Sequence, residues 1–184
     1  MKNAFLKLFA LAAIVGSSMN VSAQTSASET TDAGAVLIVA MTLTETSPMH
    51  FGSIVLTGTT GGTVVLPSNS ITRSFTGDVA ASSATPAPTN AAYNVTGTRD
   101  ETYALTLPAN FTVSHVSVNS GVDPYTMTVN NMTARFNGAG ADAVTSQLSS
   151  SGTDSFTLGG TLNVQANQVG GQYTGNFNIS IDYN

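Results

Sequence analysis

The chain has no cysteine and no tryptophan, and its only lysines stand at positions 2 and 7. Without cysteine there is no disulfide, no thiolate nucleophile and no thiolate metal site. Oxidising compartments permit disulfides but do not require them, so an exported protein of this kind has to rest on its sheets. The shortage of lysine removes Schiff-base and lysine general-base chemistry, together with the Lys to Asn crosslinks that some surface proteins use. Beyond position 7 the cations are Arg73, Arg99 and Arg135, against ten acidic residues. Nucleic acids and anionic lipid surfaces both recruit clustered cations, so neither is an expected partner.

Histidine is nearly as scarce, with only His50 and His115. A Ser-His-Asp arrangement would have to use one of them as its base, yet neither lies near a nucleophile elbow and Gly-x-Ser-x-Gly does not occur. A histidine zinc site fails for the same want of ligands. Both read as structural or surface residues, His50 facing outward between Met49 and Phe51. Asp100 and Glu101 are the one adjacent acidic pair, but neighbours on a strand point opposite ways and do not converge as the two carboxylates of a glycosidase must. They read as an exposed turn. The chain is expected to be no enzyme, with no catalytic residue, cofactor or resident metal assigned.

What is present begins with a leader pattern. Lys2 and Lys7 precede and interrupt an apolar stretch from Phe5 to Val15, and Val21-Ser22-Ala23 offers small residues for cleavage. That is the form of a secretory signal peptide, residues 1–23, too short to span a bilayer, which takes about 20 apolar residues. The mature chain is expected to start near Gln24, without membrane insertion, in the periplasm or at the cell surface. Residues 24–34 are small and polar and read as a flexible tail. About 150 residues remain, 35–184, the size of a single domain.

From Ala35 the character changes to Ala-Val-Leu-Ile-Val-Ala-Met-Thr-Leu, an apolar run rich in β-branched side chains. It fits a strand covered on both faces; periodicity alone leaves a short buried helix open, and the β-rich remainder decides for strand. Further strands are predicted at 49–57, 63–66, 70–76, 91–97, 102–107, 111–118, 125–136 and 155–165. Glycine, proline, serine and asparagine separate them at short intervals, the pattern of an antiparallel sandwich or barrel. Tyr93, Tyr103, Tyr125 and Tyr173 are expected in the core or at its rim.

The last stretch alternates most clearly. Tyr173, Gly175, Phe177, Ile179, Ile181 and Tyr183 take every second position, with polar residues between them. This is a half-buried strand running almost to the C-terminus. Terminal residues fray unless tied down, so the strand needs a partner, in its own chain or in another.

Two loops could carry ligands. Residues 80–90 contain Pro86 and Pro88, and residues 137–152 are rich in glycine and serine. The segment from Asn137 to Val144 nearly matches one calcium-binding nonapeptide of the parallel β-roll, but occurs once where stacked copies are needed. It reads as a turn, with a single loop calcium held by Asp142, Asp154 and nearby carbonyls left open. Sequons for N-linked glycans at Asn94, Asn110, Asn131 and Asn178 matter only in a eukaryotic secretory route.

Taken in order, Phe51-Gly52, Arg73-Ser74, Tyr93-Asn94-Val95-Thr96-Gly97, Tyr103 to Pro108, Gly159-Gly160-Thr161-Leu162 and Gly170-Gly171-Gln172-Tyr173 form a set. On this set the chain resembles a bacterial secreted family known as domain of unknown function 4402, over roughly Ala35 to Asn184. That family in turn is similar to the spore-coat-U and archaic chaperone-usher pilins. The cysteine often found near the first strand of those pilins is absent. The resemblance implies an immunoglobulin-like antiparallel β-sandwich, all-β, lacking a strand and completed by one donated from the next subunit. It implies self-association or homologous subunits as partners, with a periplasmic chaperone and an usher. It also implies that Gly171, Tyr173, Phe177, Ile179, Ile181 and Tyr183 form the strand that a chaperone or groove contacts.

The donor expected from the residues is the first apolar run, through Val36, Ile38 and Ala40 on one face or Leu37, Val39, Met41 and Leu43 on the other, with pairing inside its own chain as an ordinary first strand left open. The leading expectation is therefore a non-enzymatic, pilin-like structural subunit that forms surface fibres for adhesion or biofilm. The alternative is a monomeric secreted binding module for a glycan, calcium or a surface polymer, with its site in the loops.

Overall fold

The computed structural model describes residues 26–118 and 123–184, and the leader pattern of residues 1–23 lies outside them. The chain divides between Val36 and Leu37. Residues 26–36 have no regular structure and are exposed. Residues 37–184 form an all-β domain, built from thirteen strands among the described residues and without a helix.

The main sheet takes β1 (Thr42–Ser47), β6 (Ala91–Thr96), β11 (Thr153–Val164), β9 (Thr126–Phe136), β8 (Asn110–His115) and β12 (Tyr173–Thr174), in that spatial order. β3 (Gly62–Leu66) also pairs with β11 and carries β4 (Ser74–Gly77) on its other side. Two smaller sheets complete an antiparallel β-sandwich: β10 (Thr145–Gln147), β7 (Thr102–Thr106) and β13 (Ser180–Tyr183) in one, β2 (Ile54–Leu56) and β5 (Val79–Ala81) in the other.

β11 is the spine. Its first half pairs with β6 from Thr153 to Leu158, and its second half pairs with β3 from Gly160 to Val164. The exchange of neighbours falls at Gly159, where a Cβ would collide with the backbone of Leu66, Pro67 and Ser68. Only glycine admits so close a backbone approach, which gives the Gly159-Gly160 pair its reason.

Period-2 alternation places the core. Tyr103 and Leu105 of β7, Val95 of β6, Phe156 and Leu158 of β11, and Phe136 of β9 are buried together. Phe136 meets the rings of both Tyr103 and Phe156 edge-on, at 5.8 and 5.4 Å. A second cluster gathers Val64, Val79, Met127, Val129, Leu162 and Val164. Each such side chain contributes about 1.5–3 kcal/mol of hydrophobic stabilisation, which here does the work that disulfides do elsewhere.

Several expectations need correction, among them the strands expected at 49–57 and 70–76, which form only over Ile54–Leu56 and Ser74–Gly77. The apolar run does not form a strand from Ala35: β1 starts at Thr42, and the residues before it have no ladder. They are not covered on either face, since Val36, Leu37, Ile38 and Val39 are 89, 87, 56 and 55% exposed. β6 pairs with β1 only from Thr42 onward, so nothing templates the earlier residues. His50 likewise is not an outward strand residue: it is half-buried and forms an isolated bridge with Thr89, exchanging two hydrogen bonds of 2.8 Å.

Candidate functional site

The terminal stretch keeps its alternation but not one continuous ladder. Tyr173 and Thr174 pair with His115 and Ser114 of β8, whereas Ser180 to Tyr183 pair with Thr106 to Tyr103 of β7. The chain thus leaves the main sheet and joins the smaller one, and residues 175–179 between the two ladders are irregular.

Along this stretch Tyr173, Phe177, Ile179, Ile181 and Tyr183 are only half-buried, although the last four pack on the main core. Met41 and Leu43 at the start of β1 pack on the same core and are also half-buried. Inward residues of the neighbouring strands, such as Val95, Tyr103 and Leu158, are fully buried. Among the described residues β1 pairs as a strand only with β6, and β13 only with β7. The sandwich is therefore under-covered along the seam between its first and last strands.

On the β1 side of the domain lies a cleft of about 800 Å³, which Glu45 lines but no residue of β13 does. One wall is the connection from Pro48 to Ser53, the other is the segment from Gln168 to Phe177, and Phe111, Val113, Met127, Leu162 and Val164 supply an apolar floor. Phe177 stacks obliquely on Phe111 at 4.7 Å between centroids.

Each wall is held by specific polar contacts. Arg73 donates to the Phe51 and Ser53 carbonyls at 2.6 and 3.0 Å and lies over the Phe75 ring. His50 Nδ1 accepts the Gly52 amide at 2.7 Å. Burial, and secondarily the charge of Arg73, holds the His50 pKa below its ordinary value. On the opposite wall the Tyr173 hydroxyl donates to the Val169 carbonyl at 2.6 Å and accepts from Gln168 at 2.8 Å. Gly171 lies against the His115 imidazole, where a Cβ would run into the ring.

The donor residues expected from the sequence fall into two groups. Val36, Leu37, Ile38, Val39 and Ala40 are exposed, whereas Met41 and Leu43 already pack in their own domain. Tyr183 ties the two ends of the seam: its hydroxyl donates to the Val39 carbonyl and accepts the Thr98 amide. Gly171 and Tyr173 line the cleft with Phe177, but Ile179, Ile181 and Tyr183 lie along the seam beyond it. The candidate calcium ligands are not brought together. Asp142 accepts from Ser68 and Arg135, and Asp154 from Tyr103 and Ser146.

Sequence reasoning did not anticipate the Arg73 clamp, the two histidine contacts or the floor residues. Arg73 carried the only available signal, as one of three arginines in a chain otherwise short of cations.

An antiparallel β-sandwich, half-covered along its first and last strands, is the class of domain these residues define. The family described as domain of unknown function (DUF4402) matches residues 41–183, and the chain belongs to it. The exposed run from Val36 to Ala40 precedes the matched residues. No curated protein and no solved structure matches the chain significantly.

Proposed function

We propose that this chain is an exported, non-enzymatic structural subunit, pilin-like in its assembly, which polymerises into surface fibres for adhesion or biofilm. Copies join when the apolar run of one subunit, Val36 to Ala40, enters the open seam of the next. The observation that carries this reading is the coexistence of two faults in one molecule: an exposed apolar run and an apolar cleft beside an under-covered seam. Exposed apolar runs and unpaired strand edges are each liabilities that proteins normally cover. A strand added to an open sheet edge removes both, with main-chain hydrogen bonds for affinity and alternate side chains for fit. A periplasmic chaperone and an usher are the accessory partners such assembly calls for.

The competing reading, a monomeric binding module for a glycan, calcium or a surface polymer, would use the loops at 80–90 and 137–154. The engagement of Asp142 and Asp154 inside the fold favours strand donation over a loop calcium site.

The test uses the chain expressed with its own leader and recovered from the cell envelope, run unheated and boiled in detergent gels beside negative-stain microscopy. The expected result is a ladder that collapses on boiling, lost on deletion of Val36 to Ile38, which leaves the Val39 contacts to Thr98 and Tyr183 in place, while the thermal unfolding transition is kept. A single unheated monomer band without fibres would overturn the proposal.

A further inference from the structure

Asn137 is the one asparagine of the chain that is followed by glycine. The pair forms the tip of the turn that ends β9. The Ala139 amide donates to the Phe136 carbonyl at 3.0 Å, and the Asn137 amide donates to the Ser155 carbonyl at 2.8 Å. These bonds hold the ends of the turn and leave its middle free. Both residues are exposed, and among the described residues neither the Asn137 side chain nor the Gly138 amide makes a hydrogen bond. Gly138 has φ 74°, and a Cβ placed on it would meet nothing within 4 Å.

We propose that Asn137-Gly138 is a self-modifying site, where the chain converts its own asparagine to aspartate and isoaspartate and so gains one negative charge with age. The Gly138 nitrogen attacks the carbonyl carbon of the Asn137 side chain. A bond forms between those two atoms, the bond from that carbon to the side-chain nitrogen breaks, and the nitrogen leaves as ammonia with the proton of the Gly138 amide. The five-membered imide then takes up one water and opens at either carbonyl. Nothing is oxidised or reduced, and solvent water is the only co-reactant.

Three features of the turn favour the attack. The nitrogen is not engaged, no side chain crowds it, and the peptide between the two residues can rotate toward the Asn137 side chain because glycine adopts either sign of φ. Other asparagines lack this combination. Asn69 and Asn167 are also exposed in turns, but the Ser70 amide donates to the Pro67 carbonyl at 3.5 Å, and Gln168 is buried. Asn94, Asn110 and Asn163 lie in strands and precede Val95, Phe111 and Val164.

The new charge arises beside an existing ion pair. Asn137 and Arg135 line one open groove, and Arg135 donates to Asp142 at 2.7 Å, which Ser68 also holds. A carboxylate at position 137 offers the guanidinium a second anion, and isoaspartate adds a methylene to the main chain inside the turn from Phe136 to Ala139. This inference stands apart from strand donation.

The experiment incubates the mature chain at mildly alkaline pH, folded and in urea, and follows position 137 by peptide mapping and by labelling with an isoaspartyl methyltransferase. The expected result in the folded chain is a mass gain of about 1 Da confined to the peptide that holds Asn137-Gly138, with isoaspartate in it. Rotating that peptide bond costs at most the one turn hydrogen bond, so the folded chain should convert within about tenfold of the unfolded rate. Asn137→Gln, whose longer side chain would have to close a six-membered ring, should lose both the mass gain and the label. Conversion seen only in urea, or a label that persists in the folded Asn137→Gln chain, would overturn the proposal.

Discussion

The Tyr183 hydroxyl donates to the Val39 carbonyl at 2.6 Å, joining the penultimate residue of the chain to the root of its first strand. The same oxygen accepts the Thr98 amide at 2.7 Å, and Val39 in turn donates to the Thr98 hydroxyl at 2.6 Å. Three segments far apart in sequence therefore meet at one phenol. It fixes the point where the exposed apolar run leaves the sandwich.

Replacing that phenol tests its role. Tyr183→Phe removes both hydrogen bonds but keeps the ring that packs on the core, and should cost about 1 kcal/mol. The check is the urea midpoint together with exchange of the Thr98 amide. An unchanged midpoint with Thr98 still protected would show that Tyr183 acts by packing alone.

Gly171→Ala places a methyl group against the His115 ring. Crowding of this kind costs about 1–3 kcal/mol. In a His115→Ala background the cost should fall by the share due to the ring, leaving the strain of a side chain at φ 154°. A double-mutant cycle by thermal unfolding measures the difference, and additive effects would refute the contact.

Tyr103 is fully buried and donates to Asp154 at 2.9 Å. Burial, then the hydrogen bond and charge of Asp154, push its phenol far above the ordinary tyrosine range. The folded state keeps this proton where the unfolded chain loses it, so the linked stability is intact below about pH 10 and falls as pH rises further. In an absorbance titration the native amplitude of Tyr103→Phe should equal that of the parent, and a smaller amplitude in the variant would contradict the shift.

His50 reports at the other end of the scale. Its pKa is lowered in the fold, by burial first and Arg73 second. The unfolded chain then binds more protons than the folded one, so stability is full above the unfolded value near 6.5 and is lost as pH falls through the folded value. Urea midpoints of His50→Gln between pH 7.5 and 5 should therefore fall less than those of the parent. A parallel fall in both would contradict the assignment.

Much of the sandwich was legible because alternation reports directly on burial. Tyr103, Leu105, Val95 and Phe156 lie inside as their spacing requires. The run from Val36 to Val39 has the composition of a covered strand but is exposed in the fold. Apolar side chains call for cover, but their spacing does not say whose chain supplies it. The terminal strand was found, yet its break at residues 175–179 follows from exchanging β8 for β7, which only the assembled sheets decide. The histidine contacts were invisible because each depends on where backbone amides turn, as with Gly52 and Ser117.

The most direct measurement exploits the absence of cysteine. Two single variants are purified separately, one carrying Ile38→Cys or Leu37→Cys in the exposed run and the other Phe177→Cys in the cleft, then mixed and oxidised. Strand donation predicts a disulfide-linked dimer in the mixture, sensitive to reductant, for one of the two run positions and weakly or not at all for the other, because alternate side chains of a strand face opposite ways. No crosslink from either mixture, with closure within one chain when both changes are combined, would contradict donation between subunits and assign the run to its own cleft.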